Sequence, residues 1–209
     1  MAKIRYVSLE KSLCQGVADL VQLCFPDMPL RDQYTADELE EIAQIYPEGT
    51  VVALDGKRPI GMGTGIFTDI DFANLPLLED DLLYDEQERL RHDWQGDYYY
   101  GSDIAVHPAY RGRGIARKMY EWRKKQVTDH HKKGFVAAAV LPGFANHLHN
   151  LTADSYVQKV VAGELFDPTL SVQLRNGFRV VRLVHDFFEY PRSRNWAALI
   201  LWDNPNDLN

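Results

Sequence analysis

One segment constrains this chain more than any other. Asp103-Ile-Ala-Val-His-Pro-Ala-Tyr-Arg-Gly-Arg-Gly-Ile-Ala116 carries a short apolar strand through a turn into a loop of arginines and glycines that opens a helix. At a helix start the first amide N–H groups have no intrahelical partner and the macrodipole is positive. Backbone alone can therefore hold an anion wherever no side chain blocks its approach. Gly112 and Gly114 supply that clearance. Two kinds of phosphate loop do not fit: a Walker loop ends in Gly-Lys-Ser/Thr, whereas Ile115-Ala116 follow Gly114. A dinucleotide fingerprint needs a third glycine, and Arg117 stands in its place.

The flanking sequence supports a strand, loop, helix, strand unit. From Arg113 the chain reads as a helix with Ile115, Met119, Trp122 and Gln126 on one stripe, ending in His130-His131-Lys132-Lys133 before Gly134 as its C′ residue. Phe135 to Leu141 is an almost wholly apolar run, as in a strand buried on both faces. Upstream, Lys3 to Leu9 reads as a strand, Lys11 to Cys24 as a helix and Pro26 to Leu30 as a loop. Thr35 to Tyr46 reads as a second helix, with a capping box in Thr35-Ala-Asp-Glu38. Thr50 to Leu54 and Pro59 to Phe67 form a hairpin around Asp55-Gly-Lys-Arg58. Downstream, Thr152 caps a helix that carries Tyr156, Val157, Val160 and Val161 and stops at Gly163. Asp167-Pro168 opens another, closed by Gly177.

With 209 residues, 45% hydrophobic and 25% charged, the chain has enough material for a single compact domain over 1–209. Met1 to Lys11 has no apolar h-region, and no apolar run approaches a membrane span, so a cytoplasmic protein without membrane partners is expected. Cys14 and Cys24 lie ten positions apart on one helix, too far along its axis for a disulfide.

The loop matches Arg/Gln-x-x-Gly-x-Gly/Ala, with Arg111, Gly114 and Ala116 in the three defined places and His107-Pro-x-Tyr110 before them. It resembles the acetyl-coenzyme A loop of the GNAT superfamily of N-acetyltransferases. That resemblance implies an α/β fold, a mixed twisted central sheet flanked by helices, and the element order above is the family's order. The tail, through Asn176-Gly177-Phe178 and Asn195-Trp-Ala-Ala-Leu-Ile-Leu-Trp-Asp-Asn-Pro205, is similar to a bacterial GNAT subgroup sometimes fused to a carbon–nitrogen hydrolase domain. The last residues fall where that fusion would begin.

The resemblance further implies acetyl-CoA as cosubstrate and acetyl transfer to a primary amine by direct attack, with no covalent enzyme intermediate. Backbone groups of Ile104, Ala105 and Val106 would hold the acetyl and pantetheine. The loop residues Arg111, Gly112, Arg113, Gly114, Ile115, Ala116 and Arg117 would hold the pyrophosphate. Many relatives place a tyrosine four positions before the Gly-Phe glycine as the acid for the leaving thiolate; here that position is Gln173. Tyr156 is a candidate replacement. Tyr100 stands in register with a carboxylate that some relatives use, and Asp103 is the nearest actual carboxylate.

Charge is unevenly spread within a formal net charge of -7. Asp69 to Asp97 contains ten acids against Arg89 and Arg91, and Arg111 to Lys133 contains nine Lys and Arg against Glu121 and Asp129. The basic helix suits an anionic cofactor, and the acidic segment favours a cationic amine, small molecule or peptide, as acceptor. The alternative is that both are solvated surfaces. An acidic chain with no reader motif excludes nucleic acid. His147 and His149 lack a third placed ligand, so no metal is expected. Two other readings stay open: a catalytically weak acyl-CoA sensor or partner module, and a small-nucleotide-binding protein. Oligomeric state is also open, a homodimer included.

Overall fold

The computed structural model describes residues 3–26, 28–29 and 33–207. The loop expected over Pro26 to Leu30 lies partly outside these. Two hydrogen-bonded sheets form the centre. The first has the order β1-β2-β3-β6, from β1 (Arg5–Ser8), β2 (Val51–Asp55), β3 (Arg58–Gly63) and β6 (Ile104–Val106). The second has the order β4-β5-β7-β9-β8, from β4 (Ile66–Thr68), β5 (Tyr98–Tyr100), β7 (Gly134–Val140), β9 (Trp196–Asp203) and β8 (Arg179–His185). All pairings are antiparallel except β5 with β7, so the first sheet is antiparallel and the second mixed, which makes the strand arrangement as a whole mixed, as expected.

Helices cover both faces. On one face α4 (Ile115–Asp129) spans both sheets. It buries Ile115 and Met119 against Val51, Ala53 and Ile60, and Tyr120 and Val127 against Phe135 and Phe178. The same face carries α5 (Ala153–Val161) and α6 (Leu170–Arg175). On the other face α1 (Cys14–Cys24) and α2 (Ala36–Ile45) cover the first sheet, packing Val17, Leu20 and Leu39 on Val52, Leu54 and Met62. The acidic segment covers the second sheet there, burying Leu82 and Leu83 of α3 (Glu79–Leu83) against Tyr100, Val184 and Phe187. That segment is therefore docked on the sheet, although most of its carboxylates stay in solvent.

Several local expectations are met by visible chemistry. Thr35 caps α2 in a complete box: its hydroxyl accepts from Glu38 N–H at 3.2 Å, and the Glu38 carboxylate accepts from Thr35 N–H at 2.7 Å. Thr152 accepts from Ser155 N–H at 3.2 Å. Cys14 and Cys24 are free thiols.

Other expectations are corrected. Pro59 to Phe67 is not one strand. It breaks at Thr64-Gly65 into β3 and β4, which belong to different sheets. A Cβ on Gly65 would lie 2.3 Å from Tyr100 O, so only glycine permits this crossing. Helix α4 begins at Ile115 rather than Arg113, because Gly114 is its N-cap in the left-handed region (φ 75°). At its other end the left-handed residue is His131 (φ 53°), and Gly134 already starts β7. Trp122 lies at the edge of the buried stripe, partly buried against the Ile115 and Met119 cluster with its indole N–H donating to Glu48 O at 3.0 Å, and Arg123 beside it is the fully buried residue. Helix α6 starts at Leu170, one turn after the expected Asp167-Pro168. Asp167 still caps that turn, accepting from Thr169 and Leu170 N–H at 2.8 and 2.9 Å.

Candidate active site

The two sheets separate at a fork. β5 runs parallel to β7 through Tyr98–Gly134, Tyr99–Phe135 and Tyr100–Val136, and Gly101 N–H still reaches Val136 O at 2.8 Å. Beyond Gly101, Ile104–Val106 pair with Gly61–Gly63 of β3, while Ala137–Val140 pair with β9. Former neighbours thus become the arms of the fork.

Register decides which backbone groups line it. Thr64 N–H bonds Asp103 O and His107 N–H bonds Ile60 O. By the two-residue alternation of an antiparallel pair, Ala105 also turns its backbone to β3, and Ile104 and Val106 turn theirs into the fork. On the other arm Val136 O faces β5, and Lys133 O bonds Asn204 N–H across to the β9 side. Ala138 and Val140 therefore face the fork too. Each arm presents peptide groups to a ligand that carries its own amides. One is already engaged, since Arg111 Nε donates to Val106 O at 3.1 Å.

The loop continues from the end of β6. His107 Nδ1 accepts from Ala109 N–H and caps a short 3-10 turn, and the Tyr110 hydroxyl donates to Asp55 at 2.7 Å. His107 therefore shapes the turn. Gly112 (φ 76°) and Gly114 (φ 75°) adopt the left-handed conformation, and nothing lies within 4 Å of where their Cβ atoms would be. The first intrahelical bond after them is Lys118 N–H to Gly114 O. The amides of Ile115, Ala116 and Arg117 accordingly leave the helix end without intrahelical acceptors. Arg113 folds over Tyr110, its guanidinium 4.9 Å from the ring centroid, and Arg117 lies 3.6 Å from Glu121 on an exposed face.

At the base of the fork three stretches of chain meet around polar side chains. The Tyr100 hydroxyl, fully buried, donates to Glu79 Oε1 at 2.5 Å. Tyr34, which precedes α2, hydrogen-bonds Ser102 at 3.1 Å. Glu79, Ser102, Asp103, Tyr34 and Tyr84 are each partly exposed. Burial pushes the Glu79 carboxyl up to about 8, with Asp103 and Asp80 adding to the rise and the Tyr100 hydroxyl opposing it. Burial also raises Asp103, opposed by a Tyr34 hydrogen bond and the charge of Arg123. Tyr34, Tyr84 and Tyr100 are raised by the same desolvation.

Arg123 lies on the α4 face beneath Gly101, in the connection between β5 and β6. It donates to Thr64 O at 2.6 Å and to the Tyr99 hydroxyl at 3.1 Å, with its guanidinium 4.6 Å from the Phe135 ring centroid. A Cβ on Gly101 would sit 2.0 Å from its Nη2, so Gly101 leaves room for a buried cation beneath the fork.

The structure thus brings Tyr100 and Asp103 together at the fork and puts Tyr156 in another network. Tyr156 is fully buried and donates to Asp167 at 2.8 Å; the same carboxylate oxygen accepts from Gly143 N–H at 2.9 Å. Burial first, then Asp167, raises the Tyr156 pKa, which makes it a weaker acid. Gln173 is buried, and its Oε1 has no hydrogen-bond partner among the described residues. Also among the described residues, no group of three or more His, Cys, Asp or Glu is placed to hold a metal, and no helix is long and apolar enough to cross a membrane. Sequence reasoning missed Glu79, Tyr34, Tyr84 and Arg123. Only Arg123 left a signal: it falls three and four positions from Tyr120 and Met119, on the buried stripe of α4.

Residues 15–150 match the model of the family described as "Acetyltransferase (GNAT) family". Two Bacillus subtilis proteins are each 28% identical. One is "Probable hydrolase YhcX", over 96% of this chain and 39% of the relative; the other is "Uncharacterized N-acetyltransferase YkwB", over 91% of this chain and 84% of the relative. The chain thus spans about two fifths of the first and most of the second. Among solved structures, a GphF GNAT-like decarboxylase in complex with isobutyryl-CoA is similar with a TM-score of 0.73 at 17% identity, covering 96% of this chain and 98% of that one. At that identity the likeness is one of fold.

Proposed function

The chain belongs to the GNAT family of acetyltransferases, and on that premise we propose that it moves acetyl from acetyl-CoA to a primary amine by direct attack on the thioester. The observation that carries this reading is the continuity of the fork with the bare start of α4. Fork-facing peptide groups of Ile104, Val106, Ala138 and Val140 match a pantetheine arm, which carries amides of its own. Six residues beyond Val106, the left-handed glycines and open amides from Gly112 to Arg117 match a pyrophosphate, with the basic residues of α4 behind them. Carbonyl polarisation falls to the peptide N–H groups of the β6 arm, and proton handling to the side chains at the base of the fork. Residues 1–209 act as one domain. Its two free thiols suit a reducing, cytoplasmic setting.

A second reading, an acyl-CoA-binding sensor, is favoured by Gln173 at the usual tyrosine position and by Tyr156 already donating to Asp167. A thermal-shift titration with acetyl-CoA, CoA and ATP tests the shared premise. Ligand at a hundred times its Kd adds about 2.7 kcal/mol to the folded state. Stabilisation by both CoA species and not by ATP is expected; stabilisation by ATP alone would overturn it. Thiol release with an added amine then separates enzyme from sensor.

A further inference from the structure

We propose that Glu79 is the proton acceptor for the incoming ammonium group, with Tyr100 as its positioning residue and Asp103 as the second carboxylate facing the amine. This rests on the amine acetylation proposed above, and it assigns the step that reading leaves unassigned.

Glu79 stands at the first position of α3, and its place is set from both sides. Its N–H donates to Phe187 O at 2.8 Å, and Leu82 and Leu83 of the same helix are buried against Tyr100, Val184 and Phe187. Its Oε1 takes the Tyr100 hydroxyl at 2.5 Å, one residue before the strands part at Gly101. Tyr100 itself has no exposed surface, so it cannot meet a substrate, whereas Glu79 and Asp103 both keep some. Among the described residues no salt bridge reaches either carboxylate. Two neighbouring carboxylates that are partly exposed and have no salt bridge among the described residues are electrostatically matched to a primary ammonium.

The groups facing Glu79 are Tyr100 from β5, Asp103 from the connection between β5 and β6, and its neighbour Asp80 on α3. The Tyr34 hydroxyl joins them from ahead of α2 and the Tyr84 hydroxyl from the end of α3. A carboxyl titrating at about 8 matches an alkylammonium far better than an ordinary glutamate does. In the step itself, the Glu79 carboxylate takes one proton from R–NH3+. The freed nitrogen lone pair then forms the C–N bond at the thioester carbonyl carbon. The C–S bond breaks with its electron pair on sulfur, the second nitrogen proton goes to that thiolate, and Glu79 returns its proton to water. Amide, CoA thiol and one proton are the products.

The test is ethylamine-dependent thiol release from acetyl-CoA, measured against pH, with an acetyl-CoA thermal shift on the same proteins. Glu79→Gln keeps an oxygen for Tyr100 and removes only the titration. Wild-type kcat/KM is expected to rise through a midpoint near 8. Glu79→Gln should fall by about 100-fold and lose that inflection, with the acetyl-CoA shift unchanged, and Glu79→Asp should recover part of the rate. Tyr100→Phe withdraws a hydrogen bond from the carboxylate and should move the midpoint upward. An unaltered profile in Glu79→Gln, or an unmoved midpoint in Tyr100→Phe, overturns the assignment. Failure of acetyl-CoA to stabilise any of these proteins overturns the cofactor reading instead.

Discussion

The two ends of the fork are built from different materials. From Arg111 to Arg117 the candidate cofactor end is made almost entirely of main chain: two left-handed glycines, open amides and a helix dipole, all within seven consecutive residues. The base of the fork is made of side chains, Tyr34, Glu79, Tyr84, Tyr100, Ser102 and Asp103, delivered by three stretches spread over about a third of the chain. A main-chain site needs only the right local φ angles and clearance. A side-chain site needs the sheet, the docking of α3 and the connection between β5 and β6 all in place, and in return it can shift the charge state of what it holds.

If that division is right, substitutions at the two ends affect different observables. Gly114→Val should have the largest effect. It places a branched side chain where pyrophosphate approaches and forces it into a left-handed conformation, so acetyl-CoA affinity should fall at least about 100-fold, with a folding cost of about 1–3 kcal/mol. Titration calorimetry and denaturant unfolding report the two separately; undiminished affinity would break the comparison at the cofactor end.

Arg123→Met probes what lies beneath both ends. It removes the donor to the buried Thr64 carbonyl and the partner of the Tyr99 hydroxyl. Stability should drop by about 3 kcal/mol in denaturant unfolding, as when one member of a buried polar network is deleted.

Glu79→Gln sharpens the contrast through the sign of its pH effect on stability. The folded Glu79 pKa, about 8, lies above its ordinary value of 4.5, so between those pH values the folded state holds a proton that the unfolded state has lost. Wild-type stability therefore falls as pH rises through that window, by up to about 1.4 kcal/mol per unit from this group. The variant removes that slope: it should match wild type near pH 4 and be the more stable protein at pH 9, by chemical denaturation at each pH.

Tyr156→Phe should be smallest. Losing one hydrogen bond to Asp167, which keeps Gly143 N–H, costs about 1 kcal/mol, and thiol release should stay within about twofold of wild type. A tenfold slower release at unchanged acetyl-CoA affinity would restore Tyr156 as the acid for the thiolate and extend the catalytic region beyond the base of the fork.

The amino-acid sequence by itself determined the glycine loop that opens α4, the apolar strand β7 to within one residue at each end, the capping box at Thr35 and the helix cap at Thr152. Each depends on residues close together in the chain, where dihedral preference and hydrogen bonding act directly. Tertiary structure alone decided the rest. Pro59 to Phe67 reads as one strand until Tyr99 and Tyr100 press on Gly65 and divide it between two sheets. Trp122 stays at the edge of its stripe and Arg123 is buried because the underlying strands, not the helix period alone, fix how α4 rolls onto the sheet. Glu79 is indistinguishable in sequence from Asp80 and Asp81 beside it. What sets it apart is that α3 docks with that one side chain against Tyr100 at the point where the strands part, and desolvation by residues far away in the chain shifts its proton affinity.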